Sequence, residues 1–439
     1  MSGEKQHNAL LIAHRSLLRP RAIAEVTSED GGGIWSLPMR APNSLPVTAL
    51  LTALVALGPL STDLYLPSLP SLARYFAVGV DDIQLTLSVF LVGLATAQLV
   101  YGPLSDRFGR RPVLLVGLAI YVVASVVCML APSVSVLIIA RFVQAVGACV
   151  GPVLGRAVVR DVYGREGAAR VLAYMSAAMA LAPAIGPILG GFLEEWFGWR
   201  INFLALVLYG SGGLVLAWRL LPETNKARDL LAAQPIRILL GYRGFLDHRA
   251  YLGYVLCCAF AYSGIFAFIS GSSYVLQEVV GLGPIGFGLC FAGVVIGYII
   301  GTVVAGRLSR RLGIDRLIAV GAGIGVAGGT LLLALALASA AHSGIAGALL
   351  IVGPMLVFMI GVGLVLPNSI AGAIGPFPRA AGAASALLGF TQMTAAAAIG
   401  IAVAALYDGS AIPMTATIAA VAVGVLLAFR LLVRTAKKS

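Results

Sequence analysis

The sequence predicts an all-α integral membrane protein with twelve transmembrane helices in two pseudo-symmetric six-helix bundles. Three observations predict it: an apolar composition, a regular series of long apolar runs, and a loop motif that recurs in the second half. Of the 439 residues, 59% are hydrophobic and 11% are charged, and the mean hydropathy is +0.97. A soluble chain carries about 25% charged residues. So little charge cannot cover so much apolar surface in water, which excludes a soluble fold.

The apolar runs each have the roughly 20 residues that a helix needs to cross a bilayer core. They lie at 47–66, 83–104, 112–131, 134–157, 171–193, 200–221, 251–271, 285–306, 317–340, 346–368, 382–404 and 412–433. The least hydrophobic stretch separates the sixth run from the seventh, and it predicts a linker between two halves. We expect a disordered cytoplasmic N-terminal tail over 1–45, an N-terminal six-helix bundle over 46–221, a cytoplasmic linker over 222–250, a C-terminal six-helix bundle over 251–433 and a cytoplasmic tail over 434–439.

The formal net charge of +12 is distributed unevenly along the chain. If the N-terminus is cytoplasmic, every Lys and Arg except Arg74, Arg141 and Arg200 falls on a cytoplasmic segment or helix end. This asymmetry predicts a multi-pass protein of the bacterial inner membrane with both termini in the cytoplasm. The positive charge is thus a signal of topology, and it requires no nucleic-acid partner.

Other residue types argue against catalytic, cofactor and metal sites. There is no Gly-Lys pair, hence no ATP-binding P-loop, and the GIGVAG segment at 323–328 lies inside an apolar run, where glycines favour helix packing over dinucleotide binding. The histidines are scattered, at His7, His14, His248 and His342, so a membrane-embedded enzyme is not expected. The cysteines lie in apolar runs, which predicts buried thiols: Cys128, Cys149, Cys257, Cys258 and Cys290.

A charged segment joins the second and third apolar runs. It reads GPLSDRFGRRP from Gly102 to Pro112. Its glycines permit a tight turn, Asp106 stands among three arginines, and the proline suits the first turn of the next helix. A related segment, GRLSRRLG at 306–313, follows the eighth run and has Arg310 where the first copy has its acid. The duplication predicts two related halves, and the lost acid predicts a gate that depends on Asp106 alone.

Two charged residues lie deep within apolar runs, where each costs about 2.5–3.5 kcal/mol at a helix centre. Asp63 lies about 24 Å along its helix from Val47, in the outer half, which suggests the floor of an outward-facing cavity. A desolvated carboxyl can carry a proton near neutral pH; an interfacial carboxylate at a helix end is the alternative. Arg141 stays protonated and needs an acceptor. It either bonds backbone carbonyls or tunes a carboxylate or binds substrate.

The fifth apolar run contains APAIGPILGG at 182–191, in which prolines and glycines predict a kinked, closely packed helix that seals one side of a gate. Glu194 and Glu195 follow it and are expected to be solvated at the outer interface. Polar and aromatic side chains within the runs are candidates for the lining of an apolar substrate cavity with a few hydrogen-bonding points. They are Tyr65, Gln98, Gln144, Tyr262, Tyr298, Asn368 and Gln392.

Together these motifs resemble those of the major facilitator superfamily, and most closely the twelve-span drug:proton antiporters of the bicyclomycin/chloramphenicol-resistance (Bcr/CflA) branch. The similarity covers about residues 46–433. The 102–111 loop resembles the superfamily signature, and RFVQ at 141–144 resembles a fourth-span motif tied to proton coupling. The 182–191 segment resembles the fifth-span antiporter motif, and TDLYLP at 62–67 resembles the first-span pattern of this branch.

The resemblance implies roles for individual residues. Those of the inner gate are Gly102, Asp106, Arg107, Gly109, Arg110 and Arg111; those of proton coupling are Asp63 and Arg141; those of the antiporter motif are Pro183, Gly186, Pro187 and Gly190. It implies a monomeric, proton-coupled antiporter, without a cofactor or a metal, that exports small amphiphilic drugs by alternating access. Its partners are then protons, a small-molecule substrate and the lipid bilayer. Export of a natural metabolite, such as a nucleoside, a sugar or a siderophore, is the alternative on the same fold.

Overall fold

The computed structural model describes residues 45–225, 242, 244–338, 343–377 and 380–436. Nearly all of the predicted tail over 1–45, much of the linker over 222–250 and the last residues of the tail over 434–439 lie outside the described residues. The described chain is almost entirely helical and contains no strand. The predicted fold class is therefore confirmed.

The helices of the described residues follow one another with short connections. They are α1 (Leu45–Val55), α2 (Leu57–Asp63), α3 (Leu69–Phe76), α4 (Val80–Phe108), α5 (Arg110–Met129), α6 (Val134–Phe197), α7 (Arg200–Leu220), α8 (Arg249–Tyr274), α9 (Pro284–Leu312), α10 (Ile314–Ala338), α11 (Gly344–Ile374), α12 (Ala381–Ala405), α13 (Ile412–Ala428) and α14 (Arg434–Ala436). A 3₁₀ turn (Leu66–Ser68) lies between α2 and α3, and π-helical turns extend α8 over Val275–Val279 and α13 over Phe429–Val433.

Within the described residues, 11 helical segments are long and apolar enough to cross a membrane, and a bent pair brings the number to 12. The pair is Leu45–Val55 with Leu57–Phe76, bent by 42°, and we call it the first span. The prediction of one run over 47–66 is wrong at this point, because the span is broken and continues ten residues further. The 42° bend falls at Ala56, between α1 and α2, and a second interruption, which we call the break, follows Asp63. There Pro67 and Pro70 have no N–H to donate to the preceding turn.

The two copies of the charged loop turn at equivalent glycines. Gly109, between α4 and α5, has φ of +104°, and Gly313, between α9 and α10, has φ of +80°. Side chains other than glycine rarely adopt these backbone angles. The sequence repeat is thus also a repeat of backbone conformation at the turn. We call the end of the bundle that carries these two turns the loop end, and the opposite end, with residues 77–79 and 280–283, the far end.

The two halves meet along α4 with α12 and along α6 with α9. Glycines make the second contact close: a Cβ added to Gly288 would lie 2.4 Å from the carbonyl oxygen of Pro187, and one added to Gly191 would lie 2.5 Å from that of Pro284. Real Cβ atoms do not approach other atoms so closely, so these backbones touch only because glycine has no side chain. This contact lies toward the far end.

Candidate functional site

A buried carboxylate lies at the break in the first span. Asp63 is the last residue of α2, and only 3% of its surface is accessible. Its Oδ2 atom has no hydrogen-bond partner among the described residues. Buried polar atoms are almost always satisfied, so an unpaired carboxylate oxygen marks a place where a proton or another ligand fits.

The antiporter motif of α6 packs on the backbone around this carboxylate. A Cβ added to Gly186 would lie 2.8 Å from the Cβ of Asp63, and one added to Gly190 would lie 2.2 Å from the carbonyl oxygen of Leu64. Pro183 is half-buried one turn earlier, and the Pro187 carbonyl faces the second half at Gly288. The motif therefore touches the Asp63 segment on one side and the other half of the protein on the other.

Arg141 lies on the first part of α6 and is fully buried. Its Nη1 donates to the Ser61 carbonyl oxygen at 3.0 Å and to Gln144 Oε1 at 2.6 Å. No carboxylate of the described residues lies within 4.0 Å of it, and Nε and Nη2 have no hydrogen-bond partner there. Of the alternatives left by the sequence, Arg141 does bond a backbone carbonyl, and that carbonyl belongs to the residue two before Asp63.

Two aromatic rings hold the guanidinium plane of Arg141. Its Cζ lies 4.2 Å from the ring centroid of Phe90 and 4.7 Å from that of Tyr65. The Tyr65 hydroxyl pairs with Thr86 Oγ1 at 2.9 Å, which fixes that ring. Cation–π contacts are worth about 2 kcal/mol or more when desolvated, so the rings offset part of the penalty for burying this charge.

A chain of hydrogen bonds returns from Arg141 to the first span. Gln144 Nε2 donates to Ser125 Oγ at 2.8 Å, and Ser125 Oγ donates to the Tyr121 carbonyl at 2.7 Å. The Tyr121 hydroxyl lies 2.8 Å from Ser61 Oγ. Arg141 thus contacts Ser61 directly and through this buried network. The network makes the position of α2 depend on α5 and α6.

Acidic residues from outside the 102–112 segment also bind the charged turn at the loop end. Arg110 pairs with Asp106 at 2.6 Å and with Asp161 of α6 at 3.1 Å, and it donates to Ser105 Oγ at 2.5 Å. Glu223 accepts from the backbone N–H of Arg110 at 2.9 Å. The lost acid of the second copy predicted a gate that depends on Asp106 alone; in the structure Asp161 of α6 and Glu223 at the start of the linker bind the same turn beside Asp106.

The other residues of this loop have distinct surroundings. Arg111 donates to the Trp218 carbonyl at 2.8 Å, whereas Arg107 is exposed and stacks on the Phe108 ring at 5.0 Å. A Cβ on Gly102 would meet nothing within 4 Å, so no close contact requires a glycine there. Gly109 is the glycine of this loop whose positive φ disfavours other residues. The side-chain bonds of this loop to described residues all lie within the first half and the start of the linker.

The far end, by contrast, is tied across the two halves. The break in the first span frees backbone carbonyls, and side chains of α8 and its π turn donate to three of them: Ser273 to Leu66 at 2.8 Å, Gln277 to Pro67 at 3.1 Å and Tyr274 to Leu69 at 3.3 Å. Arg74 and Glu278 form an exposed ion pair at 3.6 Å beside them. The outward-facing cavity expected above Asp63 is absent from the described structure, because these bonds close that end.

Glu194 belongs to this closed end. Only 9% of it is exposed, and it accepts hydrogen bonds from Ser68 and Ser71, each at 2.5 Å. Asn202 donates to Ser68 Oγ at 2.8 Å. The expectation that Glu194 is solvated is wrong, whereas Glu195 is exposed as expected. Nothing in the local sequence points to the difference, because the partners come from the first span, more than 120 positions away.

A family model for the Major Facilitator Superfamily matches residues 51–401 of this chain. The chain belongs to the major facilitator superfamily. The chloramphenicol resistance protein of Pseudomonas aeruginosa is 35% identical over 78% of this chain and 80% of its own length. The bicyclomycin resistance protein homolog of Haemophilus influenzae is 29% identical over 89% of this chain and 96% of its own length. These relatives confirm the resemblance to the bicyclomycin/chloramphenicol-resistance branch.

A solved structure of the xylose transporter XylE from E. coli, in a partially occluded inward open conformation, is similar in fold. It superposes with a TM-score of 0.69 at 15% identity and covers 88% of this chain and 97% of that one. At this identity the likeness concerns the fold alone. It confirms the all-helical fold predicted from the sequence.

The predicted cavity residues of this facilitator fall into two groups and two single positions. Tyr65 and Gln144 surround Arg141. Tyr262 of α8 lies within electrostatic range of Asp63, Tyr298 and Cys258, and Gln392 accepts from Cys258 at 3.2 Å. Tyr262, Tyr298 and Gln392 therefore form the second group, near the Asp63 carboxyl. Asn368 bonds its own helix at Leu364, and Gln98 packs on Gly389.

Within the part of the chain that the structure describes, the cysteines and the remaining acids form no further centre. All five cysteines are free, and four are buried as expected, whereas Cys290 is half-buried. Among the described residues, no three His, Cys, Asp or Glu side chains lie close enough together to hold a metal ion.

Proposed function

We propose that this facilitator is a proton-coupled antiporter that exports small amphiphilic drugs by alternating access. The observation that carries the proposal is the buried Asp63 carboxyl. It has an unpartnered oxygen, it lies at a break in the first span, and it is linked through Ser61 to the buried Arg141. We place the loop end in the cytoplasm, both termini with it, and we take the working unit as a monomer.

The proton cycle follows from the cost of burying charge. An isolated carboxylate away from water is unfavourable by several kcal/mol. The closed far end of the structure therefore suits a protonated Asp63, which is neutral. Opening the far end would let water reach Asp63 and allow it to exchange a proton with the outer side. Opening toward the loop end would release that proton to the cytoplasm.

Arg141 acts on Asp63 through the backbone of the first span rather than through an ion pair. No carboxylate of the described residues lies within 4.0 Å of the guanidinium, which stays charged in proteins. Because Arg141 is bonded to the Ser61 carbonyl, it ties the Asp63 segment to α6. Substrate that moves this segment would therefore compete with the proton for the same conformations.

The exported compounds are inferred from the relatives and from the walls of the bundle. Two relatives are named for resistance to chloramphenicol and bicyclomycin. The interior offers aromatic rings with single polar atoms, such as the hydroxyls of Tyr65 and Tyr262, rather than a cluster of charges. Such a lining favours amphiphilic compounds over highly charged ones.

A susceptibility panel in an efflux-deficient bacterium tests the proposal. Cells that express the protein, with and without a protonophore, are challenged with a phenicol, bicyclomycin and several dyes. We expect raised resistance to at least one compound, abolished by the protonophore and by Asp63→Asn. The matched control is Asp82→Asn, which removes an exposed carboxylate at the far end and should change nothing. Full resistance in the Asp63→Asn variant would contradict the proton-carrier role.

A further inference from the structure

The second copy of the charged loop gathers four arginines beside one described acid, Asp315, which accepts a hydrogen bond from the Tyr254 hydroxyl at 2.6 Å. Arg307, Arg310, Arg311 and Arg316 are all exposed. None of them forms a hydrogen bond or an ion pair with another residue in the described part of the chain. The first copy differs, because there Asp106, Asp161 and Glu223 bond the Arg110 side chain and backbone.

Three of these arginines share one face of α9. Positions 307, 310 and 311 are separated by three and four residues, which places them side by side on a helix surface. The next helix starts after the turn at Gly313 and brings Arg316 to the same end. The guanidinium groups therefore form one patch at the loop end.

The arginine face continues an apolar stripe along α9. Its members are widely exposed: Leu289 at 57%, Ile296 at 52%, Ile300 at 43% and Val303 at 44%. Their spacing of seven, four and three residues keeps them on one helix face, which Arg307 and Arg310 extend. In a protein that spans a membrane, an exposed apolar stripe is covered by lipid chains.

The other faces of α9 are occupied by protein. Gly288 meets α6 at the Pro187 carbonyl, and Gly297 meets α11 at the Leu356 carbonyl, where an added Cβ would lie 2.4 and 2.3 Å from oxygen. Tyr298 and Thr302 are half-buried and lie about 130–170° around the helix from the stripe, by the ~100° turn per residue. The stripe is consequently the outward face of α9.

The length of this face matches one lipid. Ile296 and Arg310 are 14 residues apart, or about 21 Å along a helix at about 1.5 Å per residue. One leaflet with its headgroups is about 20–22 Å thick. When acyl chains cover Ile296, Ile300 and Val303, the headgroup lies at the arginines.

We propose that the outward face of α9, from Ile296 to Arg311, binds an anionic phospholipid of the leaflet at the loop end. Guanidinium groups bind phosphate oxygens in pairs. A headgroup with net negative charge offsets the patch, whereas a zwitterionic headgroup brings its own cation. The lipid phosphate supplies negative charge where the second loop has Arg310 and the first has Asp106. The proposal is independent of which compound the protein transports.

Thermal unfolding of the full chain, purified and stripped of lipid, tests this site. The protein is titrated in micelles with phosphatidylglycerol, with phosphatidylcholine or with inorganic phosphate. We expect phosphatidylglycerol alone to raise the Tm in a saturable way. In Arg307→Gln/Arg310→Gln the apparent affinity for phosphatidylglycerol should fall by about fivefold for each arginine removed, from ~1 kcal/mol per basic residue near a charged membrane.

The matched control is Arg430→Gln/Arg434→Gln, which removes the same charge from exposed positions on the last helices. It should keep the wild-type response to phosphatidylglycerol. Equal Tm values of both variants in phosphatidylcholine show that both are folded. The proposal is overturned if the α9 variant keeps the full response, if the control loses as much, or if inorganic phosphate reproduces the effect of the lipid.

Discussion

Gly186 lies directly against Asp63, so close that an added methyl group would sit 2.8 Å from the Cβ of the aspartate. A residue of the antiporter motif thus fixes the position of the carboxyl to which we assign the proton. The two residues are 123 positions apart, on α6 and at the end of α2. In the proposed transport cycle, movement of α6 against the second half would be transmitted through this contact to the break in the first span.

Gly186→Ala should impair transport while leaving a folded protein. Overpacking by one methyl group costs about 1–3 kcal/mol, and here it displaces the backbone that carries Asp63. We expect a clear loss of efflux together with a lower Tm, measured on the same preparation. The control is Gly323→Ala in α10, where an added Cβ meets nothing within 4 Å and which should be neutral or slightly stabilising. Normal efflux by Gly186→Ala would show that this contact is dispensable.

Arg141→Lys should abolish proton-coupled efflux although it keeps the charge. A lysine cannot stack as a plane between Tyr65 and Phe90, and its compact ammonium would not keep the position from which the Arg141 Nη1 atom bonds the Ser61 carbonyl and Gln144. We expect at least a tenfold loss of proton-driven transport in vesicles, on the order of 1.4 kcal/mol. Arg160→Lys, at an exposed position of the same helix, should behave as wild type. If Arg141→Lys retained proton coupling, a positive charge at this position would be sufficient and the guanidinium geometry would not be required.

The loop-end cluster should show redundancy between its acids. Arg110 pairs with both Asp106 and Asp161, so Asp106→Asn alone leaves one carboxylate in place. We expect each single change to Asn to lower the free energy of unfolding by about 0.2–1 kcal/mol, as for exposed ion pairs. The double variant should lose more than the sum, because Arg110 is then without an acid partner. Strict additivity in this double-mutant cycle would mean that the two pairs act independently.

The far end should open more often when its inter-half bonds are removed. Ser273 and Gln277 donate to the carbonyls of Leu66 and Pro67, and each hydrogen bond is worth about 0.5–1.5 kcal/mol. We expect Ser273→Ala/Gln277→Leu to shift the population toward states open at the far end, seen as longer spin-label distances between α3 and the start of α9. Ser176→Ala, which removes only a bond to its own helix at Leu172, is the control. Unchanged distances would indicate that packing of glycines alone closes this end.

Many residues of the candidate functional site could be predicted from the sequence, but the residues that they contact could not. Asp63 and Arg141 stand out because charges within apolar runs are rare, and the 182–191 segment stands out by its prolines and glycines. The packing of Gly186 on Asp63 was not predictable. The spacing of glycines indicates that a helix packs closely on a neighbour, but it does not identify the neighbouring residue. Glu194 shows the same limit: it looks like an interfacial acid until the first span brings Ser68 and Ser71 to it.

The sequence by itself determined the membrane class, the number of spans, the loop repeat and the superfamily. These properties depend on composition and on local periodicity, which a bilayer imposes along the chain. Only the tertiary structure decided that Arg141 bonds the Ser61 carbonyl and that side chains of α8 and its π turn close the far end. Those features are contacts between residues 80 to about 210 positions apart, and their energies depend on the distances and burial of both partners at once.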